Sequence, residues 1–136
     1  MGTLSLRGLV KRYGASTAVE RVDLEVAEGE FVALLGPSGC GKTTTLRMVA
    51  GFVEPTEGTI AIAGRDVTRA PPHARDTGMV FQSYALFPHM TVAQNVAFGL
   101  EMRKVGRAER DARAAEALKL VQLDGLADRL PRQLSG

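Results

Sequence analysis

The stretch "LLGPSGCGKTT", Leu34 to Thr44, constrains the fold more than any other part of this sequence. Four of its residues fit the spacing GxxxxGK[ST]: Gly36, Gly41, Lys42 and Thr43. Glycines let successive backbone N–H groups turn towards a bound phosphate, a helix N-terminus adds partial positive charge, and the lysine neutralises phosphate oxygens. We therefore predict a phosphate site between a strand and a helix. The alternative is a Gly-rich turn with an exposed lysine.

Hydrophobic periodicity predicts strands on both sides of this stretch. The segments Leu4–Tyr13 and Ala18–Val26 alternate apolar and polar residues, as half-buried antiparallel strands do. The run Phe31–Leu35 is continuously apolar, which is typical of a strand buried on both faces of a parallel sheet. Two further segments, Gly58–Gly64 and Thr77–Gln82, predict short strands that join the sheet by crossover connections.

The first predicted helix follows the glycine-rich stretch directly. We expect it over Lys42–Ala50, with Leu46, Val49 and Ala50 on its inward face. Gly51 is placed to end it in the left-handed conformation.

Two more helices are predicted after residue 90. Thr91 and Gln94 have the spacing of a capping box, which predicts a helix that runs to about Arg103. A second helix is expected over Ala108–Leu123. Three of its apolar residues share one face: Ala114, Leu118 and Val121. Glu109 and Arg113 form an i,i+4 pair on it.

Composition limits the class of protein. A chain of 136 residues with 45% apolar and 24% charged residues suits one globular domain, and it has no apolar run of about eighteen residues. We expect it to be soluble or peripheral, with no targeting signal. The single Cys40 fits a reducing compartment. The 17 basic and 15 acidic residues form no like-charged block, which argues against nucleic acid as a partner.

A phosphate site alone is compatible with kinases, GTPases, helicases and ABC ATPases, so other motifs must distinguish them. The sequence contains no "NKxD" string, which is the usual motif that recognises a guanine base, and this weakens the GTPase interpretation. The remaining motifs are Tyr13 in "KRYG", Gln82 in "VFQSYALFPHMTV", and "LSG" at the end of the sequence. With these motifs the chain resembles the ATP-binding subunit of ABC transporters from Leu4 to Gly136. It is most similar to importers of polyamines, maltose-type sugars, ferric ions or sulfate, and "FPHMTV", "NVAFGL", "VQL" and "QLSG" favour the spermidine/putrescine type.

The resemblance implies an α/β fold of the P-loop NTPase, ABC type. It implies an antiparallel β subdomain, a partial parallel core sheet and a helical subdomain, in a chain truncated before Walker B. Residues 1–136 would form a single partial ATP-binding domain. Within it, residues 1–82 would be a β/RecA-like lobe with Walker A, and residues 83–136 would contain the Q-loop and a helical lobe ending in the signature start.

The resemblance also implies ATP and Mg²⁺ as cofactors. Tyr13 would stack on adenine, although a half-buried tyrosine at a strand end is the alternative. The phosphates would be wrapped by seven consecutive residues: Ser38, Gly39, Cys40, Gly41, Lys42, Thr43 and Thr44. Thr43 and Gln82 would bind Mg²⁺, the latter as the Q-loop glutamine, with a surface glutamine as the alternative. Cys40 would be a small loop residue or a reactive thiol that nucleotide protects.

The implied partners are other protein subunits. Ser135 and Gly136 begin an LSGGQ signature, which would bind the nucleotide of a second ATP-binding subunit in a head-to-tail homodimer. Apolar loop residues Tyr84, Leu86 and Phe87 would dock transmembrane permease subunits, with packing between the two lobes as the alternative. A solute-binding protein would act indirectly. We expect a cytoplasmic protein that is peripheral on the inner face of the membrane.

The resemblance implies no catalytic residue within this sequence. In the family the Walker B aspartate, the catalytic glutamate and the switch histidine follow the signature. We expect the intact subunit to hydrolyse ATP and to energise solute import. The alternative is that the chain as given is a truncated, non-hydrolysing nucleotide-binding fragment.

Overall fold

The computed structural model of the chain describes residues 3–83 and 85–134. It separates into two compact units, the first ending at Val80 and the second beginning at Phe81. The predictions made for Tyr84, Ser135 and Gly136 lie outside the described residues.

The first unit contains a four-stranded antiparallel sheet. Strands β1 (Leu4–Tyr13) and β2 (Ser16–Val26) form the predicted hairpin, and β3 (Glu57–Ile62) and β4 (Arg65–Asp66) follow, in the order β2-β1-β3-β4. The predicted strand over residues 58–64 is confirmed, but its crossover connection is wrong. β3 pairs antiparallel with β1, with Leu6 opposite Ile60.

The core of the first unit lies between this sheet and helix α1 (Lys42–Ala50). Its buried members come from strands β1, β2 and β3, from α1 and from the segment after β4: Leu6, Leu9, Val19, Met48, Ile60 and Val67. The pairing of β1 with β2 shifts register between Leu6 and Leu9, and this irregularity lets two residues three positions apart both enter the core.

Helix α1 begins and ends where the sequence predicts. Gly51 follows it with φ 87°, and its N–H donates to the last carbonyls of the helix, as a left-handed C-cap does. The predicted inward face is partly wrong, because Leu46 is 50% exposed whereas Thr45 and Met48 are buried. Residues 45 and 48 are one helical turn apart and share a face, and Leu46 is rotated about 100° away from Thr45.

The strands predicted over residues 31–35 and 77–82 are wrong, since neither segment has strand structure. Phe31 and Leu35 are each 91% exposed, and Val80 is 98% exposed. A strand exists only when a neighbour completes its hydrogen-bond ladder, and no described segment pairs with either of these two. All strand pairs among residues 3–83 and 85–134 are antiparallel, so the parallel part of the predicted sheet is absent there.

The second unit contains helices α2 (Val92–Met102) and α3 (Arg107–Leu120), followed by short 3₁₀ turns over Asp124–Leu126 and Pro131–Gln133. The predicted capping box is confirmed: the Gln94 N–H donates to Thr91 Oγ1 at 3.2 Å, and the Thr91 N–H donates to Gln94 Oε1 at 2.8 Å.

Helices α2 and α3 pack against each other, and two alanines and a leucine are buried there: Ala97, Ala114 and Leu118. The predicted Glu109–Arg113 pair is present at 3.5 Å. Val121 is 60% exposed and lies just after the end of α3, so its predicted place on the inward face is wrong. Over the described part of the chain, no helix combines the length and apolar character that a bilayer crossing requires.

Candidate phosphate-binding site

The predicted phosphate loop connects β2 to α1 in the first unit. Ser38, Gly39 and Cys40 are exposed, and Gly41 is the N-cap of α1, with φ 91°. No described side chain caps the start of this helix. The first N–H groups of any α-helix lack intrahelical partners, so this helix start can receive an anion.

Gly41 fixes the loop against the sheet. A Cβ at this position would lie 2.5 Å from the carbonyl oxygen of Ala18 and 3.0 Å from Val19 Cγ2, both on β2. Any side chain there would push α1 away from the strand, and the left-handed φ would add strain. The second glycine of the motif is therefore required by a close approach between helix and sheet.

The side chain of Lys42 curls back over the loop. Its Nζ donates to the carbonyl oxygens of Gly36 at 2.5 Å and Pro37 at 2.7 Å, and it lies 3.3 Å from Cys40 Sγ. The ammonium group therefore lies inside the turn that the motif predicts for phosphate. A multiply charged anion offers it stronger acceptors than two neutral carbonyls do.

The hydroxyls of the helix start have different positions. Thr43 is exposed and Thr44 half-buried, whereas Thr45 is buried and its Oγ1 donates to the Gly41 carbonyl at 2.8 Å. Thr43 can thus reach a ligand, as a Mg²⁺ ligand must. The described residues contain no cluster of three or more His, Cys, Asp or Glu side chains that could hold a metal by itself. A cation here would depend on Thr43 together with phosphate oxygens.

A cleft of about 310 Å³ opens beside the loop. It is lined by residues of β2, of the preceding apolar segment and of the helix start: Val19, Glu20, Arg21, Val22, Ala33, Leu34, Leu35, Cys40, Gly41, Lys42 and Thr45. The phosphate loop is therefore accessible from a cleft that the sheet edge borders.

Tyr13 lies at the end of β1, and the hairpin brings it to the same end of the sheet as the loop. It pairs with Ser16 across the hairpin, and Lys11 pairs with Val19, the residue beside Gly41. Tyr13 is 55% exposed, and Lys11 Nζ lies 4.9 Å from the centroid of the Tyr13 ring. One face of the ring thus holds a cation–π contact.

The predicted Q-loop residue belongs to the second unit. Gln82 is exposed in a bend and does not follow a strand. Lys42 and Thr43 belong to the first unit, so a shared metal remains a prediction.

Two of the predicted docking residues, Leu86 and Phe87, belong to the second unit. Leu86 is 46% exposed and Phe87 38% exposed. The Phe87 ring packs on Phe98, with centroids 4.6 Å apart, and on His89 at 6.0 Å. Phe87 is therefore anchored within its own unit and still offers part of its surface.

Sequence reasoning missed Arg75, which is 4% exposed. Its guanidinium donates to four backbone carbonyls: Met48 at 2.7 Å, Ala70 at 2.8 Å, Val49 at 3.0 Å and Thr68 at 3.2 Å. Burial lowers the pKa of this guanidinium. The cation closes the C-terminal end of α1, where the helix dipole is negative. No local pattern identifies it, because its acceptors come from two separate segments.

Sequence reasoning also missed Asn95, whose side chain contacts the backbone of the predicted docking loop. A signal for it exists. An asparagine amide bonds readily to nearby backbone groups, so an asparagine in the first turn of α2 indicates a contact with the segment that precedes the helix.

Comparisons with known proteins agree with this geometry. The family model described as ABC transporter matches residues 19–136. The spermidine/putrescine import ATP-binding protein PotA of Thermobifida fusca (strain YX) is 60% identical over 98% of this chain and 36% of its own length. The sn-glycerol-3-phosphate import ATP-binding protein UgpC of Cereibacter sphaeroides is 53% identical over 100% of this chain and 39% of its own length.

A solved structure has the same fold. The ATP-binding cassette MJ0796, in a dimeric post-hydrolysis state bound to ADP and Pi, superposes with a TM-score of 0.86 and 34% identity. It covers 97% of this chain, which in turn covers 63% of that structure. The chain spans between a third and two fifths of the length of the two curated relatives. The family match, the identities and the shared fold establish that this chain belongs to the ABC transporter family.

Proposed function

We propose that this chain provides the nucleotide-binding part of an ABC importer subunit that uses MgATP to drive solute uptake. Polyamines are the proposed solutes, because a relative named as a spermidine/putrescine import protein is 60% identical over 98% of the chain. The observation that carries the proposal is the Lys42 ammonium held inside a loop at an uncapped helix start. ATP hydrolysis is proposed for the intact subunit.

Each site residue has a proposed role within the nucleotide site. The loop residues Ser38 to Thr44 donate backbone N–H groups to the phosphates, and Lys42 exchanges its two carbonyl acceptors for β- and γ-phosphate oxygens. Adenine stacks on the Tyr13 face opposite Lys11. Thr43 and Gln82 are the proposed protein ligands of Mg²⁺, which neutralises phosphate charge.

Partners follow from the same proposal. A second ATP-binding subunit would complete the site in a head-to-tail dimer through Ser135 and Gly136. Permease subunits would dock near Tyr84, Leu86 and Phe87, with a solute-binding protein acting outside, and the chain would lie on the cytoplasmic face of the membrane. The exposed apolar surface of Leu86 and Phe87 supports the docking role.

A second candidate function applies to the 136-residue chain by itself, namely nucleotide binding without turnover. The phosphate loop provides the cradle and the lysine, whereas hydrolysis also needs a residue elsewhere that orients the attacking water. MgATP hydrolysis above background that Lys42→Ala abolishes would contradict it.

The nucleotide site is tested by protection of Cys40, the single cysteine of the chain. Cys40 is exposed and lies 3.3 Å from Lys42 Nζ, so nucleotide bound there shields it. We expect MgATP to slow maleimide labelling at least about tenfold in the unaltered chain and to have no effect in Lys42→Ala. Labelling that is equal with and without MgATP in the unaltered chain, at millimolar nucleotide, would refute the placement.

A further inference from the structure

The side chain of Asn95, the one asparagine in the sequence, is half-buried at the start of α2. Its Oδ1 accepts from the Phe87 N–H at 2.8 Å. Its Nδ2 donates to the carbonyl oxygens of Phe87 at 3.2 Å, Met90 at 3.1 Å and Thr91 at 3.0 Å. One amide group therefore contacts four backbone atoms of the segment that precedes its own helix.

This pattern fixes one residue of the loop in particular. Asn95 binds both the N–H and the carbonyl of Phe87, as a neighbouring strand would. The Met90 N–H also donates to the Phe87 carbonyl at 3.1 Å, which closes a turn over residues 87–90. Only a side chain with an acceptor and a donor on one planar group can satisfy Phe87 in this way.

Phe87, which Asn95 holds through both its N–H and its carbonyl, is an apolar residue with part of its surface exposed. Phe87 packs against Phe98 of α2 with ring centroids 4.6 Å apart, so its ring and its backbone are both attached to the helix. Leu86, immediately before the fixed residue, is 46% exposed. When a partner binds a flexible loop, the loop loses conformational entropy, and this loss weakens binding. A loop that is ordered before binding avoids the loss.

We propose that Asn95 is a positioning residue that orders residues 86–91 and so presents Leu86 and Phe87 to a permease subunit. This inference rests on the proposed importer function. The surface of that subunit that they contact is apolar, because the presented side chains are apolar and uncharged. Asn95 does not touch nucleotide in this proposal; it acts through the loop.

The first experiment measures hydrogen exchange of the Phe87 and Met90 amides in the full chain, with Asn95→Ala and Asn95→Asp. We expect exchange at Phe87 to rise at least tenfold in Asn95→Ala. Asn95→Asp keeps an acceptor for the Phe87 N–H but places a carboxylate against three carbonyl oxygens, so the turn over residues 87–90 should open and exchange at Met90 should rise at least tenfold. If Asn95 only filled space, Asn95→Asp would leave Met90 exchange unchanged, because aspartate has nearly the same shape as asparagine.

Gln94→Ala is the matched control. It removes half of the capping box on the same helix turn without touching Phe87. We expect it to lower the melting temperature while leaving the ratio of Phe87 exchange to global exchange unchanged. Equal acceleration at Phe87 in Gln94→Ala and Asn95→Ala, or unchanged Met90 exchange in Asn95→Asp, would overturn the proposal.

The second experiment measures capture of the chain by detergent-solubilised permease subunits of the Thermobifida fusca spermidine/putrescine importer. We expect Phe87→Glu and Asn95→Asp each to reduce capture at least fivefold, with MgATP protection of Cys40 retained. If Phe87→Glu reduces capture and Asn95→Asp does not, the positioning role is wrong. If neither does, the docking surface itself is wrong, while the exchange data still show whether Asn95 orders the loop.

Discussion

Two apolar regions of the first unit have opposite environments. On β1, Leu6 and Leu9 are 1% and 0% exposed. In the segment after β2, Phe31 and Leu35 are each 91% exposed, although "FVALL" is the more continuously apolar sequence. Since β1 has ladder partners on both sides and residues 31–35 have none among the described residues, the difference lies in backbone pairing.

The comparison shows why hydrophobicity alone does not determine burial. Taking a strand out of water also removes its N–H and carbonyl groups from water, and each needs a hydrogen-bond partner. β2 and β3 provide those partners for β1. An apolar segment without them stays hydrated or pairs with another chain.

The largest expected change in stability comes from truncating a buried leucine of β1, compared with an exposed leucine of residues 31–35. Leu9→Ala leaves a cavity in the core and should lower the free energy of unfolding by about 2–5 kcal/mol. Leu35→Ala removes a side chain that is 91% exposed and should change it by less than about 0.5 kcal/mol. Urea unfolding followed by far-UV circular dichroism measures both. Similar losses for the two variants would mean that residues 31–35 are buried in solution.

The next prediction concerns buried backbone carbonyls whose hydrogen-bond partner is a charged side chain and not a neighbouring strand. Arg75→Met keeps much of the side-chain length but removes the donors to four carbonyls, including those of Met48 and Val49 at the end of α1. Buried carbonyls without partners should cost about 2–3 kcal/mol of unfolding free energy. Arg69→Met is the control, because the Arg69 side chain is 89% exposed and its pair with Glu54 is long, at 3.8 Å. If Arg75→Met and Arg69→Met lower the free energy of unfolding equally, water satisfies the four carbonyls in place of Arg75.

The smallest effect concerns the exposed end of the sheet. Asp66 accepts from the Thr68 hydroxyl at 2.6 Å and from the Thr68 N–H at 2.9 Å, and these bonds lower the pKa of its carboxyl below the ordinary value of 3.8. Its contribution to stability is therefore present above pH 3.8 and is lost as the pH falls through the lower folded-state value.

Asp66→Asn removes this dependence. We expect a small decrease in melting temperature at neutral pH and a difference from the unaltered chain that disappears as the pH falls below about 4. Thermal scans at several pH values measure it. Parallel curves for the two chains at every pH would contradict the assignment to Asp66.

Local features of the fold were predictable. The bounds of α1, its glycine C-cap, the Thr91–Gln94 capping box and the β1–β2 hairpin each depend on residues a few positions apart. The position of the phosphate loop was predictable for the same reason, because the spacing of its glycines and lysine along the sequence indicates the conformation of the loop.

Contacts between distant segments were not predictable. Arg75 and α1 are separated by more than twenty residues, and the sequence does not indicate which carbonyls a buried arginine will reach. Asn95 offered a weak signal as an asparagine within a helix, but its partner Phe87 emerges only when the loop folds back. The rotation of α1, which buries Thr45 and exposes Leu46, depends on how the helix lies on the sheet.

The sequence by itself determined the phosphate loop, the helix ends and the family resemblance, because short-range backbone geometry and motif spacing depend on neighbouring residues. Only the tertiary structure decided that β3 joins β1 antiparallel, that Arg75 closes the end of α1 and that Asn95 holds Phe87. The physical reason is the same in each case: a backbone polar group takes the partner that the packing of distant segments brings within reach.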